Sequence, residues 1–249
     1  MNVLILAAGY ATRLYPLTLN KAKPLLDVAG KPMLEWVIDN LAPVPDIERV
    51  YIVTNNKFAA DFEAWAAEYN KKQPKLNFTI VNDGSLTDQD KLGAIGDIHL
   101  VVNREKILDK DLLVVAGDNL FNQSLEGFVA EARKHDACLA LYDVGDLEAI
   151  KKYNNIQTDA DGVITHFEEK PQNPTGTLTG IALYYYSAKV LPLLNTYIEE
   201  KNNPDQPGRF VQWLYQRTPV HTAVIPGTWF DIGSKETLEE ANVIFQKFV

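Results

Sequence analysis

"MNVLILAAGYATRLYPLTLNKAKPLL", residues 1–26, opens with an apolar run, Val3 to Ala7, that passes directly into Ala8-Gly9 and then Thr12-Arg13. A short continuous apolar run of this kind is a strand buried on both faces, as inside a parallel sheet. It has no basic segment before it and is too short for a signal peptide or a membrane span. The strand ends in a small, flexible turn followed by a fixed cation. A glycine there lets backbone N–H groups approach an anion closely, and Arg13 and Lys23 can flank the turn with permanent charge. The spacing is neither G-x-G-x-x-G nor G-x-x-x-x-G-K-[ST], so the turn is not a dinucleotide fingerprint or a Walker A loop.

Working outward, strand and helix patterns alternate. Pro32 opens a helical stretch, "MLEWVIDNL", that Pro43 and Pro45 end. Then come "RVYIVT" (strand), "FAADFEAWAAEY" (helix), "LNFTIV" (strand), "KLGAIGDIHLVV" (helix) and "DLLVVAGD" (strand). "SLEGFVAEARKH" follows as a helix with Ser124 at its N-cap, then "ACLALYDV" as a strand. This order predicts an α/β fold: a three-layer α/β/α sandwich around a mostly parallel, mixed sheet, with ligands at the carboxyl ends of the strands. From about Leu147 the rhythm changes. "NIQTD", "GVITHFEE" and "TGIALYYYS" read as a small antiparallel extension. Two helices, "KVLPLLNTYIEE" and "RFVQWLYQR", precede one strand, "HTAVIPGTWFDIG", and a last helix, "SKETLEEANVIFQKF", with Ser234 at its N-cap. "KNNPDQPG", Lys201–Gly208, is the segment expected to be mobile.

Composition narrows the function classes. The net charge of -9 argues against a general binder of nucleic acid or membrane surfaces, so an anionic substrate needs a local cluster of cations. Cys138 is the only cysteine, which excludes an intrachain disulfide and a Cys-rich metal site and fits a cytoplasmic setting. No run of about 18 apolar residues occurs. His99, His135, His166 and His221 show no metal-ligand spacing and read as structural or surface residues.

"LAAGYATRLYPLT", "KAKPLL" and "GKPM", followed in order by "GDNLF" (117–121), "EEKP" (168–171) and "TWFDIGSKETLEEAN" (228–242), closely resemble the signature of sugar-1-phosphate nucleotidyltransferases. The glucose-1-phosphate thymidylyltransferase and uridylyltransferase group is the nearest pattern. The resemblance implies one nucleotidyltransferase domain over residues 1–249, with a nucleotide-binding half (1–146) and a sugar-phosphate-binding half (147–249). The C-terminal β-helix of longer acyl- or acetyltransferase relatives is not expected after "EEAN". The implied reaction joins a sugar 1-phosphate to the α-phosphorus of a pyrimidine nucleoside triphosphate, dTTP or UTP, with loss of pyrophosphate. Such chemistry rests on positioning and electrostatics and needs no protein nucleophile.

The same resemblance assigns roles. Ala7, Ala8, Gly9, Ala11, Thr12 and Gly117 would cradle the nucleotide, with Arg13 on the departing phosphates and Lys23 on the α-phosphate or leaving oxygens. Asp118 and Asp231 would hold Mg²⁺, which takes one or two carboxylates together with phosphate oxygens and water; Asp118 ends an apolar strand, where ionised groups seldom serve packing. Glu169 would accept sugar hydroxyl hydrogen bonds, Lys170 would bind the sugar's phosphate, and Thr179-Gly180 would line the sugar pocket. The tyrosine run Tyr184–Tyr186 reads as sheet packing. Two departures stand out. Asn154 replaces a glycine that many relatives carry near the sugar, and is expected to alter which acceptor fits. In "VNDGSLTDQDKLGAIGD", Asn82, Asp83 and Gly93 are the expected base contacts, with Gly93 offering close backbone approach to a pyrimidine. Alternatives are a cytidylyltransferase acting on phosphocholine or a similar phospho-alcohol, and a non-catalytic nucleotide-sugar binding protein. The retained Arg13, Lys23, Asp118 and Asp231 speak against the latter. Homo-oligomerisation stays open.

Overall fold

Val3, Leu4 and Ile5 are fully buried, and the strand they build, β1 (Asn2–Leu6), lies inside a sheet. The structure, a computed structural model, describes residues 1–249. After β1 the chain makes a 3-10 turn at Thr12–Leu14 and a hairpin of β2 (Asp27–Val28) and β3 (Lys31–Pro32) before α1 (Met33–Leu41). It continues through β4 (Arg49–Thr54), α2 (Ala59–Lys72), β5 (Phe78–Asn82), α3 (Ala94–Arg104) and β6 (Leu112–Ala116). Next come β7 (Asn119–Phe121), α4 (Glu126–Ala132), β8 (Ala137–Asp143) and α5 (Leu147–Ile150). The remainder is β9 (Asn154–Thr158), β10 (Ile164–Glu169), β11 (Leu178–Tyr186), α6 (Leu193–Glu199), α7 (Gly208–Leu214), β12 (His221–Val224), β13 (Trp229–Asp231) and α8 (Lys235–Phe245).

Seven strands form the central sheet in the order β12-β8-β11-β6-β1-β4-β5. β6, β1, β4 and β5 are parallel, as are β12 and β8; β11 runs against both its neighbours. The period-2 alternation of β1 divides the core between two faces. Val3 and Ile5 join Leu34, Val37, Ile38 and Leu41 of α1 and Phe62 of α2 on one face. Leu4 joins Ile95, Ile98 and Val101 of α3 and Phe210 and Leu214 of α7 on the other. Each such side chain contributes about 1.5–3 kcal/mol of burial, so the sheet is a rigid base for whatever its carboxyl edge carries. A third cluster, with Met33 and Trp36 of α1, Leu120 of β7, Phe245 of α8 and Ile232 just after β13, packs behind the β7–β13 pair. The α8 start is fixed by a capping box: Ser234 Oγ accepts from Thr237 N, and Thr237 Oγ1 accepts from Ser234 N.

The three-layer architecture is the one the sequence predicts, and four local features differ. "TGIALYYYS" does not join the antiparallel extension: β9 and β10 pair alone, and β11 enters the central sheet, where its tyrosines are buried. "HTAVIPGTWFDIG" is two strands, because Pro226-Gly227, with Gly227 at φ +80°, turns the chain from the β8 edge to β7. Helix α4 starts one residue later than expected, with Leu125 at the cap position, although Ser124 Oγ still accepts from Glu126 N at 3.1 Å. "KNNPDQPG" is tied down. Ala94 N and Ile95 N, in the first turn of α3, donate to Asp205 O (3.0 Å) and Pro204 O (2.8 Å), and Tyr197 Oη donates to Asn203 O at 2.6 Å. The backbone carbonyls of Pro204 and Asp205 cap a helix distant in sequence, which no local pattern reveals.

Candidate active site

The turn after β1 is built to present donors. Asn55 Nδ2 donates to Ala8 O (2.9 Å) and Thr18 Oγ1 to Ala11 O (2.8 Å), which clamps both sides of the loop. Ala11 sits in the left-handed region, φ 47° and ψ 44°, a conformation that costs an alanine about 1–2 kcal/mol. The backbone N–H groups of residues 9 through 13 have no acceptor within the chain. Tyr10 is buried and Ala11 half-buried, while Gly9, Thr12 and Arg13 are exposed, so this run of free N–H groups opens to solvent, and successive free N–H groups along a loop suit an anion. A Cβ on Gly9 would meet no protein atom within 4 Å, so the space before this glycine belongs to the cleft. Ala8, Gly9 and Arg13 line that cleft, which has a volume of about 550 Å³. Ala7 and Gly117 lie beneath it: Ala7 N donates to Val53 O and Gly117 N to Leu6 O, each at 2.9 Å. A Cβ on Gly117 would press on Ile5, Leu6 O and Pro24 at 3.1–3.2 Å, so the glycine lets the end of β6 seat under the loop. Ala11 and Thr12 shape the loop but are not in the cleft wall.

Asp118 follows β6, and Asp231 ends β13 directly opposite Asn119 of β7. The short β7–β13 ladder thus brings together residues 113 positions apart in sequence (231 − 118). Lys23 Nζ donates to Asp118 Oδ2 at 2.6 Å. Asn119 Nδ2 donates to Asp118 Oδ1 at 3.1 Å, and Trp229 Nε1 donates to Asn119 Oδ1 at 2.6 Å. The carboxylate is therefore held on both oxygens. Burial, and then the negative charge of Asp118, push the Asp231 carboxyl above the ordinary range, against the opposing pull of Lys23 and Arg13. Two converging carboxylates, one of them short of positive charge, fit a hard divalent cation such as Mg²⁺. No group of three or more His, Cys, Asp or Glu side chains is arranged to hold a metal, so such a cation would complete its shell with substrate oxygens and water.

The opposite end of the cleft carries Asn154, Glu169 and Gly180. Glu169 is raised by burial, while Lys170 and Arg209 lower it. Asn154 lines the cleft, and its amide is engaged by the chain itself. Its Nδ2 donates to Gly180 O (3.0 Å), and its Oδ1 accepts from Gly180 N (2.7 Å) and Thr179 Oγ1 (3.1 Å). The amide thereby mimics a strand neighbour and fastens β9 to β11, where the β8–β11 register shifts between Gly180 and Tyr184. Both polar ends of the amide bond to protein, while the residue itself borders the cleft. Thr179 is fully buried beneath it. Lys170, at φ +48°, is exposed outside the cleft wall, with its N–H on Tyr153 O (2.8 Å). Lys152 and Arg209 line the wall in its place, and neither makes a salt bridge.

On the α3 side, Asn82 and Asp83 also lie off the wall. Asn82 Oδ1 accepts from Gly84 N (2.9 Å), and Asp83 Oδ1 accepts from Ser85 N (2.7 Å) and Ser85 Oγ (2.8 Å). Gly93 does line the cleft, but its close neighbour is protein: at φ +79°, a Cβ would lie 2.6 Å from Pro204 O and 2.7 Å from Asp205 Cα. The sequence reading missed Asp97, Asn119, Lys152, Arg209 and Trp229, all in the wall. For Asp97 a signal existed: it stands four residues before buried Val101, on the apolar side of α3.

The nucleotidyl transferase family model matches residues 2–247. The bifunctional protein GlmU of Methanocaldococcus jannaschii is 27% identical over 243 residues, 97% of this chain and 53% of GlmU. The chain spans about half the length of the GlmU proteins it matches. UTP-glucose-1-phosphate uridylyltransferase AglF of Haloferax volcanii is 26% identical over 249 residues, covering 99% of this chain and 97% of AglF. Among solved structures, a Bacillus anthracis protein assigned as a glucose-1-phosphate thymidylyltransferase, in complex with sucrose, has a TM-score of 0.81 at 25% identity, covering 99% of this chain and 95% of that one. UDP-glucose pyrophosphorylase complexed with UDP-glucose has a TM-score of 0.80 at 23% identity, covering 99% and 98%, a likeness of fold. No helix is long and apolar enough to cross a membrane. With its donor loop, converging carboxylates and matched length, the chain belongs to the nucleotidyl transferase family.

Proposed function

We propose that the protein transfers a nucleotidyl group from a pyrimidine nucleoside triphosphate, UTP or dTTP, to a sugar 1-phosphate, releasing pyrophosphate and forming a nucleotide sugar. The observation that carries this reading is the meeting of the unpaired N–H run of residues 9–13 with Arg13, Lys23, Asp118 and Asp231 at one end of the cleft. The pyrimidine preference rests on the likeness to AglF and to the Bacillus anthracis protein.

An oxygen of the acceptor's phosphate attacks the α-phosphorus, and the bond from that phosphorus to the oxygen bridging to the β-phosphorus breaks. The loop N–H groups bind the triphosphate, and Arg13 meets the charge that grows on pyrophosphate as it leaves. Lys23, anchored on Asp118, holds α-phosphate oxygens as a point charge. Asp118 and Asp231 would hold Mg²⁺, which when bound withdraws charge from phosphate oxygens. Trp229 and Asn119 orient Asp118. Lys152 and Arg209 bind the acceptor's phosphate, the role that Lys170 was expected to fill, and Glu169 accepts sugar hydroxyls. The test is pyrophosphate release over four NTPs and several sugar 1-phosphates with Mg²⁺. Release with UTP or dTTP and at least one sugar 1-phosphate is the expected result. Release only with a phospho-alcohol, or with no acceptor at all, refutes the reading.

A further inference from the structure

Asp97 occupies the first turn of α3 and is 5% exposed, yet no donor reaches it. Only three buried side-chain polar atoms in the chain lack a partner: Thr54 Oγ1, Asp97 Oδ1 and His221 Nδ1. Thr54 and Asp97 are both neighbours of Asp83. Asp83 N donates to Thr54 O at 2.9 Å, and the Asp83 carboxyl lies within hydrogen-bonding reach of the Asp97 carboxyl. No salt bridge joins Asp83 or Asp97 to a cation, and burial next to Asp83 pushes the Asp97 carboxyl up to about 8. A buried acidic group with no compensating partner is a net cost to the fold. Structural need does not explain it, because apolar Ile95, Ile98 and Val101 already seat α3.

Its place in the cleft indicates what it meets. Asp97 lines the wall together with Leu6, Ala8, Gly9, Gly93 and Ala94. Along the sheet, α3 packs over β1 and β4, the donor loop and Asp118 follow β1 and β6, and Asn154, Glu169 and Gly180 lie by β11. A nucleotide with its phosphates at the donor loop and its acceptor towards β11 therefore directs its base towards α3. Asp97 brings no positive charge to hold an anionic phosphate, whereas a base offers uncharged N–H donors that a carboxyl oxygen can accept. We propose that Asp97 is a specificity-determining residue that accepts an N–H from the Watson–Crick edge of the nucleotide base. This rests on the nucleotidyltransferase reading for the placement of the phosphates.

The test is equilibrium binding of UTP, dTTP, CTP, ATP and GTP, without acceptor, to wild type, Asp97→Ala and Asp97→Asn, with thermal melting of each. Binding is read without turnover, so failure of the transferase reading would appear separately, as absent pyrophosphate release. The alanine variant is expected to lower the ratio between the preferred and disfavoured bases by about tenfold or more, since a polar site that loses its acceptor loses its discrimination. An asparagine keeps an acceptor oxygen and the shape of the side chain, so Asp97→Asn should hold the ratio within about threefold. Neither melting temperature should fall by more than a few degrees. Equal weakening for all five nucleotides would make Asp97 a support of the loop and overturn the proposal. So would an unchanged preference in Asp97→Ala, or a wild type that binds all five alike.

Discussion

Replacing Asp97 by asparagine should change how stability depends on pH, and the size can be worked from its surroundings. The carboxyl ionises near 3.8 when exposed and near 8 in the folded chain, because burial and Asp83 disfavour its charge. Between those values the folded state holds a proton that the unfolded chain has released. Stability therefore falls as pH rises from about 4 to about 8, at up to about 1.4 kcal/mol per pH unit. The full interval sets a ceiling on the order of 5 kcal/mol, and relaxation and water entry reduce what is realised to about 1–3 kcal/mol. Asparagine cannot ionise and can donate to Asp83. The variant should match wild type near pH 4 and exceed it by about 1–3 kcal/mol at pH 8, or several degrees in Tm. Urea midpoints at pH 4.5, 6, 7.5 and 8.5 measure the difference curve, in which titrations common to both proteins cancel. A flat difference, or a variant less stable than wild type at pH 8, would refute the assignment of a buried carboxyl that resists ionisation.

Asp118→Asn and Asp231→Asn should each cut pyrophosphate release by at least about a hundredfold at saturating Mg²⁺ with the circular dichroism spectrum unchanged; near-normal turnover would remove that residue from the site. Arg13→Ala should lower kcat by about tenfold or more, with a smaller rise in the KM for the triphosphate, because it meets charge that grows in the transition state. A pure KM effect would make it a ground-state contact. Asn154→Gly removes three hydrogen bonds to Thr179 and Gly180, and should cost about 2–4 kcal/mol in urea unfolding. A midpoint equal to that of wild type would show that the β9–β11 strap carries no stability. Gly93→Ala forces a side chain to φ +79° and within 2.6 Å of Pro204 O. It should cost about 2–3 kcal/mol and speed proteolysis within 201–208, whereas an unchanged proteolytic pattern would show the loop docked by other contacts.

The features legible in the chain alone are local ones. The apolar run Val3–Ala7, the β-α alternation and the Ser234 cap depend on side-chain periodicity and hydrogen bonds within a few residues, so the three layers, the presence of β1 and the start of α8 were legible. Arg13, Lys23, Asp118 and Asp231 were legible as residue types in a recognisable order. Their meeting was decided by the tertiary structure, since a three-residue ladder, β7 with β13, sets Asp231 beside Asp118. The same holds for the contacts that hold the cleft wall in place. Asn154 spends its amide on a strand 26 residues away, and Gly93 is a glycine because the backbone of Pro204 and Asp205 passes against it. Helical spacing puts Asp97 on the apolar side of α3, but only the fold sets Asp83 beside it. Hydrogen-bond partners, close approach and dielectric surroundings belong to space, not to spacing along the chain. Sequence therefore named the groups, and packing decided which of them face the cleft and which support it.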